Sequence, residues 1–148
     1  MKLAICSDHR GYGLKSQLVK KMAENGMKFE DFGCFSDERC DYPVFAFKVG
    51  EAVKNKECEL GVVICGSGDG VCISANKVKG IRCICAKDSS HVERARQHVN
   101  INVLALAAEE TNVDQAFEML QTFINTEFLG DRYQERIVLI DKYESENN

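Results

Sequence analysis

Short apolar runs alternate along this chain with longer segments whose apolar residues recur every three or four positions. Lys2–Ser7 holds an unbroken apolar stretch and predicts a first strand. Tyr12–Glu24 places Leu14, Leu18 and Met22 on one stripe and meets Asn25-Gly26, so it predicts a helix with its stop signal. Lys28–Phe32 predicts a second strand, followed by a polar loop through Asp41. Pro43, the only proline, suits the first turn of a helix running to about Asn55. Leu60–Cys65 is a glycine-bounded, β-branched run and predicts a buried third strand. Val71 to Val78 is long enough for about two helical turns. Ile81–Ala86 predicts a fourth strand, about Ser89–Gln97 a helix, and Asn102–Ala107 a fifth strand. Helices from about Val113 to Thr126 and from about Arg132 to 143 follow, with a polar tail after Tyr143. Five strands, each followed by a helix, predict a three-layer α/β/α, Rossmann-like doubly wound fold around a five-stranded parallel sheet. Functional sites are then expected at the carboxyl ends of the strands.

Length agrees with that plan: 148 residues make one domain, expected to span 1–148. A net charge of −4 with no basic cluster gives no sign of a nucleic-acid partner. No apolar run approaches the ~20 residues of a membrane span, so no membrane partner is expected. The opening MKLAICSDH is too short and too soon polar for a signal peptide and reads as a strand. Eight cysteines fall at 6, 34, 40, 58, 65, 72, 83 and 85 without one C-x-x-C pair, and only three histidines accompany them. Neither zinc nor disulfides are expected, and a reduced, cytoplasmic protein is.

The chemistry concentrates after the third strand, in Cys65-Gly-Ser-Gly-Asp-Gly70. Glycines let backbone N–H groups crowd around an anion, and a helix N-terminus adds partial positive charge. Cys65 at the strand's end would face that field, a placement that favours the thiolate. A core cysteine before an ordinary strand-to-helix turn is the plain alternative. Three familiar loops fail at one residue, Val71, which stands where a Walker loop needs lysine and a dinucleotide fingerprint needs glycine. A cysteine phosphatase loop needs arginine there. The first strand ends in Ser7-Asp8-His9, level with Cys65, which favours acid–base work over a surface turn. His98 ends the helix before strand five, where a packing or capping role is also open.

Seven segments carry a resemblance in order: Ser7-Asp8-His9-x-Gly11, Asp31-Phe32-Gly33, Asp41-Tyr42-Pro43, Cys65-Gly-Ser-Gly-x-Gly70, Ala75-Asn76-Lys77-Val78-x-Gly80, Asn102–Leu106 and Phe128-x-Gly-x-Arg132-x-Gln134-x-Arg136. Together they resemble the ribose-5-phosphate isomerase B family, related to galactose-6-phosphate isomerases, from residue 1 to about 140. The resemblance implies a metal-independent, cofactor-free aldose–ketose isomerase acting on a small sugar phosphate through an enediolate. It implies Cys65 as base, with Ser67 and the amides of Gly66, Gly68, Asp69 and Gly70 holding the enediolate oxygen. It also implies Asp8, His9 and His98 in substrate binding and ring opening, His98 as proton donor, and Tyr42 lining the sugar pocket. Arg132 and Arg136 correspond to phosphate ligands, and their i, i+4 spacing puts both on one helix face. Family members are homodimers or larger, tetramers among them, with the site assembled across an interface.

Four positions depart from the family's usual residues: Arg10, Asp69, Val99 and Glu109. Glu109 stands where an arginine commonly assists phosphate binding, and Arg10 is expected to return that charge from another side. These changes surround the substrate's ends. An isomerase of another sugar phosphate, of the allose 6-phosphate or galactose 6-phosphate type, therefore stays open, as does a non-catalytic sugar-phosphate-binding relative.

Overall fold

The computed structural model describes residues 1–147. Strands β1 (Lys2–Ser7), β2 (Lys28–Asp31), β3 (Leu60–Cys65), β4 (Cys83–Cys85) and β5 (Val103–Ala107) form one parallel sheet in the order β2-β1-β3-β5-β4. The helices are α1 (Tyr12–Glu24), α2 (Tyr42–Lys54), α3 (Asp69–Asn76), α4 (Ser89–Val99), α5 (Val113–Asn125) and α6 (Asp131–Asn147).

Alternation along the strands sorts side chains by size. Leu3, Ile5, Val62, Ile64, Leu104 and Leu106 face α1, α4 and α5. Ala4, Cys6, Val63, Cys65, Cys83, Val103 and Ala105 face α2 and α3. Small residues on that second face let its helices sit close, and Gly61 approaches so tightly that a Cβ would lie 2.6 Å from Val49. Cys6 and Cys83 thus act as small hydrophobes, and all eight cysteines are free thiols. The strand order switches direction between β1 and β3, which opens a crevice at their carboxyl ends.

Several boundaries differ from the sequence expectations. Helix α3 starts at Asp69, two residues early, because Gly68 turns the chain in the left-handed region (φ +77°) and Asp69 suits the first turn. Strand β2 stops at Asp31, one residue before Phe32, and β4 is only Cys83–Cys85. The Asn76 side chain brackets β4's edge, accepting from the Cys83 N–H at 2.8 Å and donating to its carbonyl at 2.9 Å. The stretch after Tyr143, expected as a tail, continues α6 to Asn147, since nothing in it breaks a helix. Only Ile137 of α6 is buried, while Val138, Leu139, Ile140 and Tyr143 are more than half exposed. No helix is long and apolar enough to cross a membrane among the described residues.

Candidate active site

A cleft of about 350 Å³ opens over the crevice between β1 and β3. Its first wall is the β1–α1 loop. The Asp8 N–H donates to the Ile64 carbonyl at 3.1 Å, which docks this loop on β3. Asp8 Oδ1 accepts the N–H groups of Arg10 (3.0 Å) and Gly11 (2.9 Å), so the carboxylate shapes the entry to α1 while edging the cleft. His9 Nδ1 accepts the Cys40 N–H at 3.3 Å, which puts the proton of the uncharged ring on Nε2.

The β3–α3 loop makes the floor. Cys65 is 4% exposed, and its Sγ accepts the Gly68 N–H at 3.2 Å. The loop's carbonyls turn into the fold: Cys65 O accepts from Ala108, Gly66 O from Glu109 and Gly68 O from Cys72. Ser67 is exposed, and its Oγ accepts the Asp69 N–H at 3.3 Å. Glycine is required at 68, where a Cβ would lie 2.5 Å from Cys85 Sγ, and at 70, where it would meet the Tyr42 ring at 2.6 Å. Gly68 and the exposed Asp69 carboxylate, both expected in the binding set, do not line the cleft; Gly66, Ser67 and Gly70 do. Burial pushes the Cys85 thiol behind this loop up to about 11, and a hydrogen bond with Cys83 lowers that of Cys72.

The third wall, Arg39 to Tyr42, comes from the loop between β2 and α2 and from the first residue of α2. The Tyr42 ring stands against Gly70. Arg39 went unnoticed in the sequence, although it is the single cation between Lys28 and Lys48 and adjoins Asp41-Tyr42-Pro43. Lys15 also escaped notice. Its side chain is 2% exposed, lies 2.7 Å from Asp31 Oδ1 and donates to the Cys34 carbonyl at 2.5 Å. It thereby ties α1 to the loop that carries the third wall.

Arg10 occupies the rim, with its guanidinium paired to the Glu109 carboxylate above Gly66. The charge expected to offset Glu109 is thus engaged by Glu109 itself.

His98, Arg132 and Arg136 do not join Cys65 within one chain. Helix α4 descends from the carboxyl end of β4 to the amino end of β5, so His98 in its last turn lies at the opposite edge of the sheet. Five strand residues separate those edges, roughly 16 Å. His98 stacks on Tyr133 with ring centroids 4.6 Å apart and planes 9° from parallel. The Tyr133 hydroxyl is 3.0 Å from Arg132 Nη2, and Arg132 and Arg136 are exposed beside it. The expected residues therefore form two groups, a cysteine–amide cleft and a histidine–arginine cluster. Among the described residues no three His, Cys, Asp or Glu side chains are grouped to hold a metal ion.

The strand order and the cleft make this a doubly wound α/β protein whose candidate site lies at the switch point of the sheet. The chain belongs to the ribose/galactose isomerase family, whose model matches residues 3–140. It is 40% identical over 148 residues to a putative sugar phosphate isomerase of Bacillus subtilis, covering 99% of each chain. It is similar to the structure of Clostridium thermocellum ribose-5-phosphate isomerase B (TM-score 0.97, 40% identity, 100% of both chains). It is also similar to that of the Mycoplasma genitalium ribose-5-phosphate isomerase B with bound ribulose-5-phosphate (TM-score 0.92, 37% identity, 99% and 97% covered).

Proposed function

We propose that this enzyme interconverts ribose 5-phosphate and ribulose 5-phosphate, moving a proton between C1 and C2 through an enediolate. Cys65 is the base in this reading. Its thiolate takes the C2 proton of the open-chain aldose and returns it to C1, while a hydroxyl proton is lost from O2 and one is gained at O1. The observation that carries the reading is the Cys65 thiol on an amide floor, at the end of β3 and beneath a cleft of sugar size. Negative charge on the enediolate oxygen would be met by cleft-lining N–H groups of Gly66, Ser67 and Gly70 and by the Ser67 hydroxyl. Preorganised donors of this kind contribute on the order of 3 kcal/mol each.

The reaction also needs a ring-opening acid and cations for the phosphate, and one chain places its candidates at the far edge. We infer a homodimer in which His98, Arg132 and Arg136 of a second copy face the Cys65 cleft. The apolar positions 138–140 and 143 exposed along α6 support such a contact. Arg132 and Arg136 would take the phosphate, and His98 would protonate the ring oxygen while Asp8 and His9 hold the sugar hydroxyls. A coupled assay of the purified protein against ribose 5-phosphate and allose 6-phosphate tests the function. Preference for ribose 5-phosphate is expected. Preference for the six-carbon sugar would move the substrate, and no turnover of either would leave a binding protein.

A further inference from the structure

Arg10 and Glu109 rise from different loops and meet over one residue. A Cβ built on Gly66 would lie 2.9 Å from Arg10 Cζ and 3.0 Å from Glu109 Oε1, so the ion pair rests directly on the anion floor. Neither backbone depends on it. The Arg10 N–H is held by Asp8 Oδ1 at 3.0 Å, and the Glu109 N–H by the Gly66 carbonyl at 3.0 Å. The side chains are 58% and 50% exposed, and an ion pair so open to water is weak and easily parted. A guanidinium fixed at its base, placed on the rim of an anion cleft and held by a partner that water already screens, is free to change partners.

We propose that Arg10 and Glu109 form a partner-exchange pair that makes the cleft select phosphorylated sugars. Glu109 keeps the guanidinium over Gly66 until the substrate's phosphate displaces the carboxylate and takes both prongs of the fork. A phosphate monoester brings close to two charges against the carboxylate's one, so the exchange is favourable. A sugar acid would only trade one carboxylate for another, and a neutral sugar would leave the pair closed. Glu109 is a positioning residue here, since it acts on substrate through Arg10. This inference rests on the sugar-phosphate reading above, and it assigns Arg10 a contact additional to those of Arg132 and Arg136.

Inorganic phosphate is the probe that separates the two ideas, because its binding can be measured by calorimetric titration without turnover. Arg10→Gln should weaken phosphate about tenfold, the loss expected for one charge-assisted contact. Arg10→Lys keeps the charge but loses the fork, and should weaken it at least about threefold. Glu109→Gln should tighten phosphate about threefold by removing the competitor. Arg10→Glu/Glu109→Arg should come back within about threefold of the native protein, since both side chains reach the same point above Gly66. With ribose 5-phosphate the same order should appear in KM, with kcat moving less. Matching thermal melts confirm that these surface variants fold. Arg10→Lys binding phosphate as the native chain does would overturn the fork contact. An unchanged Arg10→Gln would overturn the exchange altogether. Phosphate data in the expected order with no sugar turnover would overturn the isomerase reading while leaving the pair standing.

Discussion

The Gly68 amide donates to Cys65 Sγ at 3.2 Å, across a turn that only glycine can make. This contact joins the Cys65 thiol and the glycine-rich loop in one unit, because the positive φ at Gly68 aims its N–H back at the strand end. Cys65→Ala should abolish isomerisation, a loss of a thousandfold or more in kcat, while phosphate still binds. Gly68→Ala should cost about 2–4 kcal/mol, from the left-handed backbone and from crowding against Cys85. Calorimetric melts and steady-state kinetics check both variants. Activity within tenfold of native in Cys65→Ala would remove the cysteine from the role of base.

Lys15 gives a stability prediction that kinetics can cross-check. Its ammonium group is buried between Asp31 and the Cys34 carbonyl, with the Phe35 ring centroid 5.0 Å away. Lys15→Met leaves a carboxylate of 24% exposure without its cation. Breaking a fully buried pair costs about 3–5 kcal/mol, and water reaching Asp31 lowers this to about 2–3 kcal/mol. Urea unfolding should show that loss, and Asp31→Asn added to Lys15→Met should recover part of it. KM should rise in the single variant, because the loop that leads into Tyr42 loses its tie to α1. Native stability in Lys15→Met would show the pair to be worth nothing.

Alkaline pH should weaken the fold through its buried thiols. Burial pushes the Cys85 thiol from an ordinary 9.0 up to about 11, and moves the Cys6 thiol upward as well. The unfolded chain therefore releases these protons first as pH rises. Their contribution is full below pH 9 and is lost as pH climbs through the folded values, so Tm should fall between about pH 9 and 11. Cys6→Ala and Cys85→Ala should each show a shallower fall than the native chain, measured by scanning calorimetry in that range. Parallel curves would mean these thiols do not link folding to protons.

Chelation should leave the reaction untouched. Full activity in EDTA and in millimolar reductant is expected, since the proposed steps use only protein groups. Loss on chelation that a divalent ion restores would place the protein in another mechanistic class.

Much of this was legible in the sequence, for identifiable reasons. Strands β1, β3 and β5 are buried on both faces, so their apolar runs are unbroken and their limits fell within a residue of those expected. Strand β2 lies at an edge, where Glu30 and Asp31 interrupt the pattern. The extension of α6 was missed because a polar face without a breaker looks like a tail. Lys15 was missed because lysine is almost never buried unless paired, and its partner Asp31 lies sixteen residues away. Cys65, Asp8 and His9 could be grouped from their places at strand ends. The distance from that group to His98 could not, since it follows from the downward course of α4 and from strand lengths.

Subunit complementation shows whether one site draws residues from two chains. Cys65→Ala and His98→Gln are each expected to be inactive as homodimers. Unfolded together and refolded, or coexpressed, half the dimers should be mixed. In a two-fold dimer each mixed molecule holds one site with both residues intact, and one with neither. The mixture should show roughly a quarter of native kcat per mole of chain, with KM near native. A mixture that stays at the sum of its inactive parents, while mass spectrometry shows mixed dimers present, would mean that His98 and Cys65 do not meet across two chains.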